Sequence, residues 1–368
     1  MKRTLQITLL GLTLAVAFFS ARPPANAISQ TKPRFVGVQA CAECHRDITV
    51  RQQQTSMAKA LVSAADCQIL REHPLLKFQQ GKFAYRITRN GDRSVYEITD
   101  GAQTITAPLL YAFGQGFSGQ TYVYEFGGAM YESRVSFYNA ISALDITLGH
   151  APAPPATLVE AAGRSMSLDE TRNCFGCHTT NATIESSASA DRHTVIQLNH
   201  TPGVSCESCH GAGEQHVTAA KTGKPLNGLL KRLREFDGDD LTQITCGACH
   251  RSVEDVTAMS NRDGASNVRF QPYRIFNSRC YSADQRISCT GCHDPHGKLE
   301  HNAAFYDAKC TACHQAKNAK ADAARRLCKT GKRDCVSCHM PKIELPGAHF
   351  KFTDHRIRIV KPGDPYPF

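Results

Sequence analysis

Side-chain character alternates residue by residue in Phe83-Ala84-Tyr85-Arg86-Ile87-Thr88, and again in Val95-Tyr96-Glu97-Ile98. A period of two puts one set of side chains on each face, so both runs predict half-buried strands. Asn90-Gly91 between them has the residues of a tight hairpin turn. Asp100-Gly101 and Gly127-Gly128 punctuate further runs of this kind, including Tyr122-Val123-Tyr124-Glu125-Phe126 and Arg134-Val135-Ser136-Phe137-Tyr138. The pattern predicts a small antiparallel β unit over 81–140. A Pro-rich stretch, Ala151-Pro152-Ala153-Pro154-Pro155, then marks a boundary. Beyond it few long apolar periodic segments occur. The helix candidates there are 226–236 and 316–329, and the rest reads as short helices and long loops.

The first 27 residues are of a different kind. Lys2 and Arg3 precede an apolar run from Ile7 to Phe19, followed by Ala25-Asn26-Ala27. This is the order of an export signal, with cleavage expected before Ile28. The apolar run is shorter than the roughly 20 residues of a spanning helix. No cysteine near the cut offers a lipid anchor, and nothing downstream reads as a membrane span. The expected location is periplasmic or extracellular.

Composition changes the picture at one point. The 368 residues include 17 Cys and 16 His but no Trp. So many cysteines are foreign to a cytosolic enzyme, and an odd count cannot all be paired in disulfides. The formal charge is +10, and loss of Lys2, Arg3 and Arg22 with the signal lowers it by three. The remaining basic residues are not clustered into runs, which argues against a nucleic-acid partner.

Fourteen of the cysteines fall into seven copies of Cys-x-x-Cys-His. They are Cys41/Cys44/His45, Cys174/Cys177/His178, Cys206/Cys209/His210 and Cys246/Cys249/His250, then Cys289/Cys292/His293, Cys310/Cys313/His314 and Cys335/Cys338/His339. On a helical turn, residues i and i+3 share a face, so two thiols can reach the two vinyl groups of one porphyrin. The adjoining imidazole is then placed beneath the iron. The pattern is that of c-type haem attachment, with the histidine as proximal ligand. Zinc sites use Cys-x-x-Cys pairs without requiring a histidine after each, and disulfides within the pairs leave all seven histidines unexplained. The expectation is seven covalently attached haem c groups. Because haem buries apolar macrocycle, folding of this part is expected to depend on its attachment.

Nine histidines lie outside the motifs: His73, His150, His193, His200, His216, His296, His301, His349 and His355. They suffice for a sixth ligand at every iron. His296 follows His293 by three residues and cannot pass around its own porphyrin, so any iron it binds belongs to a neighbouring haem. His216, six residues after His210, is constrained similarly. His200 stands beside a Pro-Gly turn before Cys206. His349 and His355 lie in a C-terminal tail able to fold back on the core. Met57 is a further candidate for the first haem, and its alternative role is packing. Of the three cysteines outside the motifs, Cys280 and Cys328 are the more plausible disulfide, which leaves Cys67 free.

Several segments give a narrower likeness: Cys206-Glu207-Ser208-Cys209-His210-Gly211-Ala212-Gly213 with His216, Cys292-His293-Asp294-Pro295-His296, and Cys338-His339-Met340-Pro341-Lys342 followed by Phe352-Thr353-Asp354-His355. On these residues, and on Tyr111-Ala112-Phe113-Gly114-Gln115-Gly116 with Gly119-Gln120-Thr121-Tyr122, the chain resembles multihaem c-type cytochromes related to cytochrome c-554 over most of residues 38–358. The resemblance implies electron transfer through haem arrays, with His216, His296 and His355 as axial ligands. It departs where relatives often carry a histidine after the first motif and this chain has Met57. The expected fold is a mostly α/irregular multihaem cytochrome built around stacked haems, with a small antiparallel β insertion. Its expected parts are the signal peptide 1–27, a first-haem segment 28–80, the insertion 81–150, and a hexahaem core with C-terminal tail 151–368.

The expected function is an exported heptahaem cytochrome passing electrons between redox partners, either other cytochromes or membrane quinol-linked complexes. No residue need then act as acid, base or nucleophile. An enzyme would instead reduce or oxidise nitrite, hydroxylamine or a sulfur oxyanion at one open haem. Self-association into a conducting filament is the third reading.

Overall fold

The computed structural model describes residues 33–188, 194–232, 237–259, 265–282, 287–314, 328, 330–361, 363, 364 and 366. The export signal 1–27, the helix candidate 316–329 save for isolated positions, and His193 lie outside the described residues. Residues from Arg34 onward form one unit.

The alternating runs form strands, and more of the chain joins them than their pattern foretells. The strands are β1 (Leu61–Ser63), β2 (Leu75–Gln80), β3 (Phe83–Asn90), β4 (Arg93–Thr99), β5 (Thr104–Phe113), β6 (Gln120–Phe126), β7 (Ala129–Tyr138), β8 (Ala143–Ile146) and β9 (Gly163–Ser165). β2 through β8 follow one another as an antiparallel meander, with β1 added on β5 and β9 on β7. β2 and β8 come back together, so the sheet is a nearly closed barrel. The ten-residue strands make this curvature. β5 pairs with β4 through Thr104–Pro108, then shifts register and pairs through its second half with β6 and β1. Irregularities of this kind bend a strand and increase its twist.

This overturns the expected fold class. The β unit is not a small insertion in a mostly helical chain; it is a nine-stranded barrel that reaches from residue 61 to residue 165. The underestimate has a physical cause. β1 and β9 are three residues each, too short to show a period, and are strands only because β5 and β7 offer open ladder positions.

Where the period is clear, it is obeyed. Phe83, Tyr85 and Ile87 are buried while Arg86 is exposed, and in β4 Tyr96 and Ile98 are buried. On the outer face Arg86 lies directly across from Glu97, with Nε donating at 2.9 Å. The β6–β7 turn is Gly127-Gly128, with φ of 60° and 78°. Positive φ at both central residues is the geometry a right-twisted two-residue hairpin requires. Inside, Tyr85, Tyr96, Tyr122 and Tyr124 are fully buried beside Phe83 and Phe137. Tyr96 meets Tyr124 edge-on at 5.4 Å between ring centres.

The Pro-rich segment is tied to β2 and β7. Arg134 Nη2 donates to the carbonyls of Ala151 and Ala153, and Gln80 Nε2 to that of Pro152. After it come short helices and two further hairpins, β10 (Thr179–Ala188) with β11 (Thr194–Pro202) and β12 (Lys342–Glu344) with β13 (Lys351–Thr353). Of the candidate helix 226–236, the described residues 226–232 are not helical: 227–230 are turns and bends and the rest is irregular. No described helix is long and apolar enough to cross a membrane.

Candidate haem-binding site

All seven motifs sit on short helical turns. Two end longer helices, Leu168–His178 and Ala303–His314. The first of these starts with a capping box in which Ser167 and Glu170 satisfy each other's backbone N–H. The others form turns of their own: Cys206–His210, Cys289–Cys292, Cys335–His339, the Gly247–His250 turn after Cys246, and the Val38–Ala42 turn that carries Cys41. His45 N–H and His293 N–H each close the turn on the carbonyl of the first cysteine, at 2.8 Å in both cases. This puts the two thiols of a motif on one side of a turn, as thioether attachment needs. None of the described cysteines is in a disulfide, including Cys280 and Cys328.

The motifs also lie against one another. Cys41 faces Cys206 of the third motif, and burial first, then that neighbour, pushes its thiol up to about 12. Cys177 of the second motif is lowered to about 7 chiefly by its hydrogen bond with Cys249 of the fourth. Cys246 and Cys289 join the fourth motif to the fifth.

The histidines extend this pattern. His45 faces His216 with ring centres 6.4 Å apart and planes 25° from parallel. His210 faces His296 at 6.1 Å and 6°. His293 faces His355 at 6.3 Å and 46°. A first-row metal–imidazole bond is about 2.0 Å, and the ring centre lies roughly 1 Å behind the nitrogen. Two imidazoles on opposite sides of one metal therefore stand about 6 Å apart. These three pairs have that spacing, and each joins a motif histidine to one from outside the motifs.

Backbone acceptors set the tautomers. The Nδ1 of His178 lies 3.0 Å from the Ala60 carbonyl, that of His210 2.9 Å from Lys231, that of His339 2.8 Å from Arg358, and that of His355 3.0 Å from Thr353. A carbonyl can only accept, so Nδ1 carries the proton and Nε2 keeps its lone pair for a metal. Burial lowers His178, His250, His293 and His296, and takes His355 down to about 4. The neutral imidazole is the ligating form.

Apolar surface left open beside the motifs fits a macrocycle. Ile244, two residues before Cys246, is 67% exposed; Ile48 and Val50 follow His45, and Leu299 and Phe305 lie between the fifth and sixth motifs, all exposed. No three His, Cys, Asp or Glu among the described residues converge as a bare metal site would require. The residues present thus fit haem better than zinc.

Other candidates lie elsewhere. His349 turns to the barrel, with Nε2 2.7 Å from Asp145 Oδ2 and its ring against Tyr138. His200 packs edge-on to Tyr111 and Phe175, and its Nδ1 is buried without a partner. His73 lies on Phe137, and His150 Nε2 is 3.2 Å from Glu132. The backbone N–H of His301 donates to Glu300. Opposite His45 stands His216, where the sequence left Met57 as an alternative.

Sequence reasoning missed Glu207, the second residue of the third motif. Its buried carboxylate accepts from Val36 N–H at 2.9 Å, Gly37 N–H at 2.9 Å and Gly213 N–H at 2.8 Å. Gly37 leads into the turn with Cys41, and Gly213 into the helix Glu214–Lys221 with His216. One side chain therefore ties together both sides of the His45–His216 pair. An acid inside an attachment motif was the available signal.

Residues 155–211, which hold the second and third motifs, match the family described as cytochrome c554 and c-prime. No curated protein matches the chain. Among solved structures, one titled outer cell wall cytochrome OcwA shares the fold, with a TM-score of 0.50 and 15% identity over 89% of this chain and 80% of that one. The family match and the attachment turns together support a c-type cytochrome with covalently bound haem c, of the kind that takes part in electron transfer.

Proposed function

We propose that the chain is an exported heptahaem c-type cytochrome that carries electrons between redox partner proteins, through closely spaced and mostly bis-His haems. Each haem, when bound, supplies a reversible one-electron Fe(III)/Fe(II) couple. The protein's part is to hold, orient and space the groups. Cys41, Cys44, Cys174, Cys177, Cys206, Cys209, Cys246, Cys249, Cys289, Cys292, Cys310, Cys313, Cys335 and Cys338 would be the attachment points, and the seven motif histidines the proximal ligands.

The observation that carries this reading is the set of three imidazole pairs at 6.1–6.4 Å. His216 lies six residues after His210, and His296 three after His293. The distal ligand at the first motif is thus tethered to the third motif, and the distal ligand at the third is tethered to the fifth. Short tethers keep neighbouring sites close, which suits electron transfer and needs no acid or base. Export is supported by the leader-like sequence and by likeness to a protein titled a cell wall cytochrome.

The test is low-temperature electron paramagnetic resonance of the mature protein with haem quantification. Seven haems per chain with mostly low-spin signals are expected, and His216→Ala should turn one low-spin haem high-spin. A sample whose haem is extracted by acidified organic solvent would refute covalent attachment.

A second reading is favoured by one observation. The three imidazole pairs use His45, His210 and His293, so among the described residues they assign no sixth ligand to His178, His250, His314 or His339. An open position at one of these would suit a reductase or dehydrogenase acting on nitrite, hydroxylamine or a sulfur oxyanion. A high-spin signal that shifts with those substrates, together with turnover, would favour it.

A further inference from the structure

The C-terminal tail turns around a single buried carboxylate. Between 349 and 361, Asp354 is the one residue wholly closed off from solvent. Arg274, on the helix Gln271–Phe276, meets it with a two-pronged contact: Nε to Oδ1 at 2.8 Å and Nη2 to Oδ2 at 2.9 Å, with side-chain exposures of 1% and 0%. The same carboxylate accepts from Arg356 N–H at 3.0 Å and from Arg358 Nη1. Ser278, four residues after Arg274, donates to the His355 carbonyl at 3.2 Å and accepts from Ile357 N–H at 2.8 Å.

Two imidazoles depend on this turn. His355 adjoins Asp354 and faces His293. Arg358, four residues beyond Asp354, presents the carbonyl that accepts from His339 Nδ1 at 2.8 Å, and its own N–H donates to the His339 carbonyl at 3.2 Å. The carboxylate therefore lies between the distal histidine of one site and the orienting acceptor of another.

A buried ion pair is poor at adding stability, because desolvating both charges offsets most of their attraction. What a planar guanidinium fork adds is orientation, since two parallel bonds fix rotation as well as distance. The tail's other ties lie to either side of this carboxylate: the β12–β13 hairpin, His349 on Asp145 and Tyr366 on Asn267. The nearby apolar cluster is only Val268, Leu345 and Ala348 with a few half-buried neighbours.

We propose that Arg274 is a positioning residue for two haem sites at once: through Asp354 it seats His355 across from His293, and through the Arg358 carbonyl it sets the ring of His339. The inference rests on the bis-His reading above. It couples the fifth and seventh attachment sites and leaves the first outside the coupling.

The experiment uses the full-length haem-loaded protein and compares Arg274→Gln, Arg274→Lys, His355→Ala and His216→Ala with the parent. Electron paramagnetic resonance and a redox titration of the individual haems are the readouts. Arg274→Gln should abolish or shift the low-spin signal that His355→Ala abolishes, and should move the midpoint of one further haem. The signal that His216→Ala removes should stay in place. Arg274→Lys keeps the charge but loses the fork, and should give smaller shifts at the same two haems. Unchanged spectra and midpoints with only a lower melting temperature would overturn the proposal, and so would equal losses at every low-spin signal. If the parent binds haem but His355→Ala leaves its spectrum intact, the ligation reading itself fails and the inference falls with it.

Discussion

The barrel and the motif region hold themselves together by different means. From residue 61 to 165 the chain builds a core of its own, with twenty buried residues in one cluster, four of them fully buried tyrosines. Beyond it, the comparable cluster near the tail has three buried residues. Helices there are one to three turns long, and apolar side chains such as Ile244 and Leu299 face outward beside the attachment motifs. Side chains alone explain the first region. The second has the composition of a folded protein and the packing of one whose core is supplied from outside its sequence.

The largest test of this contrast is to withhold the prosthetic group. Chain produced without covalent haem attachment should keep hydrogen-exchange protection in 61–165 and lose it across the motif turns. Equal protection in both regions would remove the contrast.

A core substitution should act on the other side of the divide. Tyr96→Ala empties space at the centre of the barrel, and replacing a buried aromatic by alanine costs about 3–5 kcal/mol. Thermal unfolding followed by the β signal should show that loss, with the haem spectrum of the folded protein unchanged.

Glu207→Ala tests the join between the motifs. It strands three backbone N–H groups, each costing about 1–3 kcal/mol if left buried and unpaired. Besides lower stability, the signal assigned to His45 and His216 should broaden or shift, while the His210–His296 signal changes less. If only stability falls, Glu207 is a strut and does not hold the pair.

The smallest effect belongs on the outer sheet face. Arg86→Ala removes an exposed pair with Glu97, and exposed pairs contribute about 0–1 kcal/mol. A melting shift as large as that of Tyr96→Ala would contradict the inside-and-outside reading of the alternating strands.

The same two regions were unequally legible. β3 and β4 could be read because a sheet with one buried face imposes a period of two, and β6 and β7 from their β-prone runs bounded by glycines, although Tyr122–Tyr124 and Ser133–Tyr138 are buried on both faces. β2 and β8 flank those runs without an equally plain pattern, and β1 and β9 are too short to carry one. Their pairing partners make them strands, and that is why the sheet was underestimated. The β10–β11 hairpin was missed for a related reason, since a register irregularity between Thr180 and Thr183 breaks its pattern.

The attachment motifs were readable for a chemical reason. Two thiols that must reach the two sides of one porphyrin have to be close in sequence, so the requirement is written as a fixed local spacing. Distal ligands carry no such mark. His216 has no local feature that names His45 as its partner, and Arg274 stands 80 residues from Asp354. Sequence by itself located the seven Cys-x-x-Cys-His motifs and the buried face of β3 and β4, because both are decided within a few residues. Only the tertiary structure decided which imidazoles meet, which carboxylates hold them and how far the sheet extends. Those contacts join distant segments, and geometry across a fold leaves no periodic trace along the chain.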